Sequence, residues 1–177
     1  MTAPPRRTLL LGGARSGKSR YGEDLLPEHA PVRYCATARR AGDDTEWAAR
    51  IERHRTRRPA AWTTVEDPDL VAELRGPGPL LIDDIATWLT RVLDDTGAWD
   101  LPRVPATVEA RVEALVAAVA ACPGRVVLVS AEVGLGVVPA TKAGRLFRDE
   151  LGAANTALAR VCDEVLLFVA GLPLRLK

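Results

Sequence analysis

The stretch Thr8–Ser19, TLLLGGARSGKS, decides the fold. An apolar run, Thr8–Leu11, ends at a glycine pair. From Gly12 to Ser19 the chain fits G-x-x-x-x-G-K-[ST], with Gly12, Gly17, Lys18 and Ser19 at the fixed positions. Glycines let a backbone curl until its amides face phosphate oxygens, so Gly12, Gly13, Ala14, Arg15, Ser16 and Gly17 are expected to cradle a triphosphate. The helix that follows adds the positive end of its dipole. Lys18 is placed to reach the β- and γ-phosphates, and the Ser19 hydroxyl to coordinate Mg²⁺. A strand leading in and a helix leading out supply the context that the motif requires.

Working outward, four more apolar runs read as strands: Val32–Thr37, Leu80–Ile82, Val126–Ser130 and Val165–Ala170. They are continuous rather than alternating, which suits strands buried on both faces of a parallel sheet. Helical stretches are expected over Ser16–Leu26, Asp43–Arg57, Ile85–Leu93, Pro105–Ala121 and Lys142–Cys162, although Gly144 and Gly152 argue against one unbroken helix in the last. Strands alternating with helices give an α/β fold, a P-loop nucleotide-binding fold with a mainly parallel sheet flanked by helices. The length of 177 residues favours a single domain over residues 1–177.

Such a loop needs a carboxylate to steady its metal, at the end of an apolar strand. LLIDD, residues 80–84, supplies two. Asp83 follows the strand directly and is the expected metal partner of Ser19, while Asp84 is suited to cap the helix from Ile85.

The segment DTEWAARIERHRTRRP, residues 44–59, carries a second signal. Trp47, Ala48 and Ile51 form a packed stripe, and Arg50, His54 and Arg58 step by four along another. Neighbouring positive charge keeps the imidazole of His54 neutral and hence nucleophilic, and the arginines are suited to clamp phosphates. On the helix alone a solvated charged face with an incidental histidine fits as well. His29, in the proline-flanked turn PEHAP, has no such setting.

Composition narrows the function. Hydrophobic residues make up 47% and charged residues 27%, and the net charge is +1, which speaks against a general nucleic-acid binder. Only Lys18, Lys142 and Lys177 among the 24 basic residues are lysines, so abundance did not put a lysine at position 18. Cys35, Cys122 and Cys162 are too few and too scattered for a disulfide framework or a zinc site. With neither a signal-peptide core nor a run of roughly 18 apolar residues, the chain is expected to be soluble and cytoplasmic, with no membrane span.

These residues together resemble the bifunctional adenosylcobinamide kinase/adenosylcobinamide-phosphate guanylyltransferases. The likeness runs through GGARSGKS, YCATA (34–38), RIERHRTRRP (50–59), W-x-x-V-E (62–66), LLIDDIATWL (80–89), VVLVSAEVGLGVVP (126–139) and R-x-F-R-D (145–149), then Gly152, Asn155 and GLPLRLK. The resemblance implies two reactions: phosphorylation of adenosylcobinamide by ATP or GTP, then transfer of GMP from GTP through a guanylylated histidine to give adenosylcobinamide-GDP. That histidine falls on His54, which tips the basic helix toward the nucleophile. Lys18 joins it as a catalytic group, and Arg50, Arg58, Glu66 and Asp83 join the loop as nucleotide-binding residues. The resemblance also implies Mg²⁺ and a homotrimer. Ala131 stands where the family usually has asparagine, Asp84 where it has an uncharged residue, and Trp47 where methionine is common.

Glu132 emerges at the carboxyl end of a buried strand, where α/β folds place their sites, and it equally suits the tip of a tight turn. Arg148 and Asp149 suit either an ion pair or substrate contacts. Two other functions remain open. One is a monofunctional small-molecule kinase, which would share every feature except a nucleophilic His54. The other is a GTP switch, but TKAG (141–144) lacks the aspartate of a guanine-reading [NT]-K-x-D motif.

Overall fold

The computed structural model describes residues 5–38, 56 and 58–177. Arg50 and His54 lie outside the described residues, as does nearly all of the expected helix 43–57. In chain order the strands are β1 (Arg7–Gly12), β2 (Arg33–Ala36), β3 (Thr63–Glu66), β4 (Leu80–Asp83), β5 (Val126–Ala131), β6 (Glu164–Val169) and β7 (Leu172–Arg175). The helices are α1 (Lys18–Asp24), α2 (Leu70–Arg75), α3 (Ile85–Asp95), α4 (Ala106–Ala121) and α5 (Lys142–Val161). The strands form one sheet in the order β3-β2-β4-β5-β1-β6-β7. Every pairing is parallel except β6 with β7.

The five apolar runs all became strands because both faces of the sheet are covered. Leu9, Leu80, Ile82, Val126 and Leu128 face one layer, against Leu89 and Leu93 of α3, Val108, Leu115 and Val119 of α4, and Leu151 and Leu158 of α5. Leu10, Leu81, Val127, Val129, Leu166 and Phe168 face the other, with Tyr34, Trp62 and Leu26. Helix α1 lies on this second face and comes very close. A β-carbon on Gly22 would sit 3.1 Å from Leu10 Cδ1 and from Leu81 Cδ1.

Three elements went unseen in the sequence. Strand β3 is largely exposed and polar, β7 is an exposed edge strand containing Pro173, and α2 has only six residues, started by Asp69 accepting from the amides of Val71 and Ala72. Gly144 and Gly152 do not interrupt α5, which is continuous from Lys142 to Val161 with Thr141 as its cap. Asp84 caps α3 as expected, its side chain accepting from the Thr87 amide at 2.7 Å. Among the described residues no helix is long and apolar enough to cross a membrane.

Candidate active site at the carboxyl ends of the strands

Parallel strands present their carboxyl ends to one edge of the sheet, and those expected site residues that the structure describes gather there; Arg50 and His54 lie outside the described residues. Gly12 ends β1 opposite Ala131 of β5 and Phe168 of β6. Asp83 ends β4 opposite Ala36 of β2, which in turn faces Glu66, the last residue of β3. Strand β5 is inserted between β1 and β4, so the loop after β1 must reach across one strand to meet Asp83. Helix α1 makes that reach possible: it places Ser19 with its hydroxyl donating to Asp83 Oδ1 at 3.2 Å.

The loop itself turns tightly. Arg15 and Gly17 adopt left-handed backbone, with φ of 57° and 93°, and Gly17 immediately precedes the first turn of α1. For glycine that conformation costs nothing; for Arg15 it is strained. Ser16 is buried, and its hydroxyl has no hydrogen-bond partner among the described residues. A buried hydroxyl without a partner is a cost that a bound oxyanion would remove. Lys18 Nζ donates to the Gly13 carbonyl at 3.2 Å, so the ammonium is folded over the mouth of the loop. A hydroxyl and a carboxylate held 3.2 Å apart, with that ammonium beside them, match what a small hard cation and a phosphate chain require.

Asp83 has a second partner that the sequence did not disclose. Tyr34, on β2, donates its hydroxyl to Asp83 Oδ2 at 2.5 Å. Burial, first, and the Asp83 charge raise the Tyr34 hydroxyl well above the ordinary tyrosine value, so it stays a donor. Above its ring, at 3.5 Å from the centroid, lies the guanidinium of Arg58, which also donates to Thr64 Oγ1 at 2.8 Å. Arg58, Trp62, Thr64 and Glu66 line a recess of about 490 Å³ beside β3. Arg58 and Glu66 are therefore together, and Tyr34 joins them to the P-loop side of the sheet. A buried tyrosine in a run as apolar as YCATA was the available signal, since its hydroxyl must find a partner.

Beside the loop, Asp84 is pushed above the ordinary aspartate value by burial and by Asp83. The Glu132 amide donates to the Gly12 carbonyl at 3.1 Å, which seats the EVG turn against the P-loop. Its carboxylate accepts from the Gly134 amide at 2.6 Å, within its own turn. Arg148 and Asp149 form an ion pair at 2.9 Å. Asn155, buried on α5, accepts from Ser130 Oγ at 2.6 Å and donates to the Ala131 carbonyl at 3.0 Å. It thereby fixes the end of β5 next to the P-loop.

Similarity to known proteins agrees with this geometry. The family model described as cobinamide kinase / cobinamide phosphate guanyltransferase matches residues 8–176. The bifunctional adenosylcobalamin biosynthesis protein CobU of Escherichia coli (strain K12) is 39% identical over 180 residues, covering 96% of this chain and 98% of the relative. Its Salmonella typhimurium counterpart has the same identity and coverage. The bifunctional adenosylcobalamin biosynthesis protein CobP of Pseudomonas aeruginosa is 45% identical over 179 residues, covering 97% of each chain. With its P-loop, its strand-end carboxylate and this full-length likeness, the chain belongs to the cobinamide kinase / cobinamide phosphate guanyltransferase family.

Proposed function

We propose that this chain phosphorylates adenosylcobinamide with ATP or GTP and then converts the product to adenosylcobinamide-GDP, with GTP as GMP donor, in adenosylcobalamin assembly. The observation that carries the kinase half is the pairing of Ser19 with Asp83 at 3.2 Å beneath a P-loop whose Ser16 hydroxyl is buried and unpartnered. In this step the loop from Gly12 to Gly17 holds the triphosphate, and Lys18 leaves the Gly13 carbonyl to neutralise the β- and γ-phosphates. Ser19 and Asp83 hold Mg²⁺, which when bound offsets charge on the transferring phosphoryl group. The substrate hydroxyl oxygen forms the new bond to the γ-phosphorus, its proton passes to solvent, and the bond to the nucleoside diphosphate oxygen breaks.

In the second half the imidazole of His54 attacks the α-phosphorus of GTP and the bond to pyrophosphate breaks. The phosphate oxygen of the phosphorylated corrinoid then attacks the same phosphorus and the phosphorus–nitrogen bond breaks. Arg50 and Arg58 neutralise developing charge, and Glu66 contacts the nucleotide from the end of β3. The recess lined by Arg58 and Glu66 supports this assignment.

The chain acts as a homotrimer in the cytoplasm. Leu135, Val137 and Val138 on one loop, and Leu172 and Leu174 on β7, are exposed apolar side chains of the kind that a second copy covers. The three cysteines are buried free thiols, as a reducing compartment allows. Native mass spectrometry reads the trimer directly. Incubation with α-labelled GTP and Mg²⁺ should leave acid-labile GMP on the protein, absent in His54→Ala. Wild-type labelling in His54→Ala would refute the nucleophile. Kinase turnover with no labelling of the parent chain would establish the monofunctional kinase instead.

A further inference from the structure

We infer that Tyr34 is a positioning residue for the kinase step, locking the Asp83 carboxylate so that one chosen oxygen faces Ser19 and the metal. The inference rests on the proposed reading of Ser19 and Asp83 as the metal pair. A carboxylate at a strand end is free to rotate, and either oxygen could turn to the loop. Here the two oxygens have different partners: Oδ2 accepts from Tyr34 at 2.5 Å and Oδ1 from Ser19 at 3.2 Å. Tyr34 has no freedom to follow a rotating carboxylate. It is 2% exposed, sits on β2 between β3 and β4, and packs with Leu81 and Trp62. The Arg58 guanidinium closes over the outer face of its ring at 3.5 Å. The hydroxyl is thus a fixed point, and a fixed hydrogen bond to one oxygen fixes the direction of the other. Groups of this kind, bonded to a ligand rather than to the metal, typically alter metal affinity by roughly 10–100-fold when removed.

The test compares Tyr34→Phe with the parent chain, using a fluorescent ATP analogue titrated with and without Mg²⁺, so that binding rather than turnover is read. Tyr34→Phe keeps the ring beneath Arg58 and removes only the donor; a thermal melt without nucleotide confirms that it folds. The expected result is a rise of roughly tenfold in the Mg²⁺ concentration that half-saturates the effect, with metal-free nucleotide binding unchanged. Kinase kcat at saturating Mg²⁺ should recover most of its parent value. Asp83→Asn runs alongside. If Asp83→Asn loses the Mg²⁺ effect while Tyr34→Phe keeps the parent midpoint, the positioning role is refuted and the metal pair stands. Equal weakening of binding with and without Mg²⁺ in Tyr34→Phe also refutes it, by making the hydroxyl merely structural. If Asp83→Asn leaves the Mg²⁺ effect intact, the metal pair itself is wrong and the role of Tyr34 falls with it.

Discussion

Adding one methyl group at Gly12 should damage the fold, and adding one at Gly13 should not. A β-carbon on Gly12 would lie 2.7 Å from Ser16 Oγ, 3.0 Å from Phe168 Cβ and 3.0 Å from the Phe168 carbonyl oxygen. Ordinary contacts need about 3.5 Å or more. The Ser16 hydroxyl can rotate away. The Phe168 atoms cannot easily yield, because β6 is held by β1 on one side and β7 on the other. Relief therefore requires β1 and β6 to part by about half an ångström at the point where the P-loop begins. Forced overpacking costs about 1–3 kcal/mol, and two backbone-anchored contacts put Gly12→Ala in the upper part, at about 2–3 kcal/mol. For a chain of this size that lowers Tm by about 4–12 °C. Gly13 has no heavy atom within 4 Å of its would-be β-carbon, so Gly13→Ala should stay within about 0.5 kcal/mol of the parent. Urea and thermal unfolding read both variants, and Mg²⁺-ATP binding should weaken in Gly12→Ala, whose methyl displaces the Ser16 hydroxyl. A Gly12→Ala melt within a degree of the parent, or equal losses in the two variants, would refute the steric account.

Three more outcomes follow from polar and ionisable groups. Asn155→Leu leaves the Ser130 hydroxyl and the Ala131 carbonyl without their partner, and should cost about 2–3 kcal/mol in urea unfolding; a loss under about 0.5 kcal/mol would show that water replaces the amide. Asp163 is held below the ordinary aspartate value of 3.8 by its hydrogen bond to Arg7, joined by the amides of Arg6 and Arg7. Its stabilisation is present above that value and is lost as the pH falls through the lower folded value. Asp163→Asn should therefore be the weaker chain at neutral pH and converge on the parent below pH 3.8; a gap independent of pH would overturn this. Burial pushes the thiols of Cys35 and Cys162 up to about 12, so at mildly alkaline pH a thiol reagent should reach them only on unfolding. Prompt labelling of either in the native chain would contradict their placement.

The parts of the molecule legible in the sequence were those where local pattern and local physics coincide. Thr8–Ser19 carries strand, turn and helix start in one stretch, and LLIDD carries both the strand-end carboxylate and the helix cap, which the structure separates into Asp83 and Asp84. Strand β3, TTVE, has no apolar run because it lies at an edge with little to bury. Helix α2 starts at an Asp69 cap that only the structure shows, and six residues give too little periodicity to read. The order of strands was out of reach altogether. That β5 separates β1 from β4 depends on contacts between segments more than 40 residues apart, and so does the bond from Tyr34 to Asp83. The sequence offered most of the described groups of the candidate site; their mutual orientation came from the sheet.

The antiparallel strand β7 closes one side of the sheet with a consequence for how copies of the molecule meet. The Leu176 amide donates inward to the Val165 carbonyl, so by the alternation of an antiparallel ladder residues 172 and 174 also turn their amides inward, while 173 and 175 turn theirs toward solvent. Position 173 is proline, which has no amide hydrogen to offer. Within Leu172–Arg175 the rim therefore presents a newcomer with a single backbone donor, at Arg175. The outward carbonyls of residues 173 and 175 still accept, but each copy brings only that one donor, so a ribbon of hydrogen bonds running from copy to copy is thinned at Pro173 and leaves more of any contact to the side chains of Leu172, Leu174 and their neighbours.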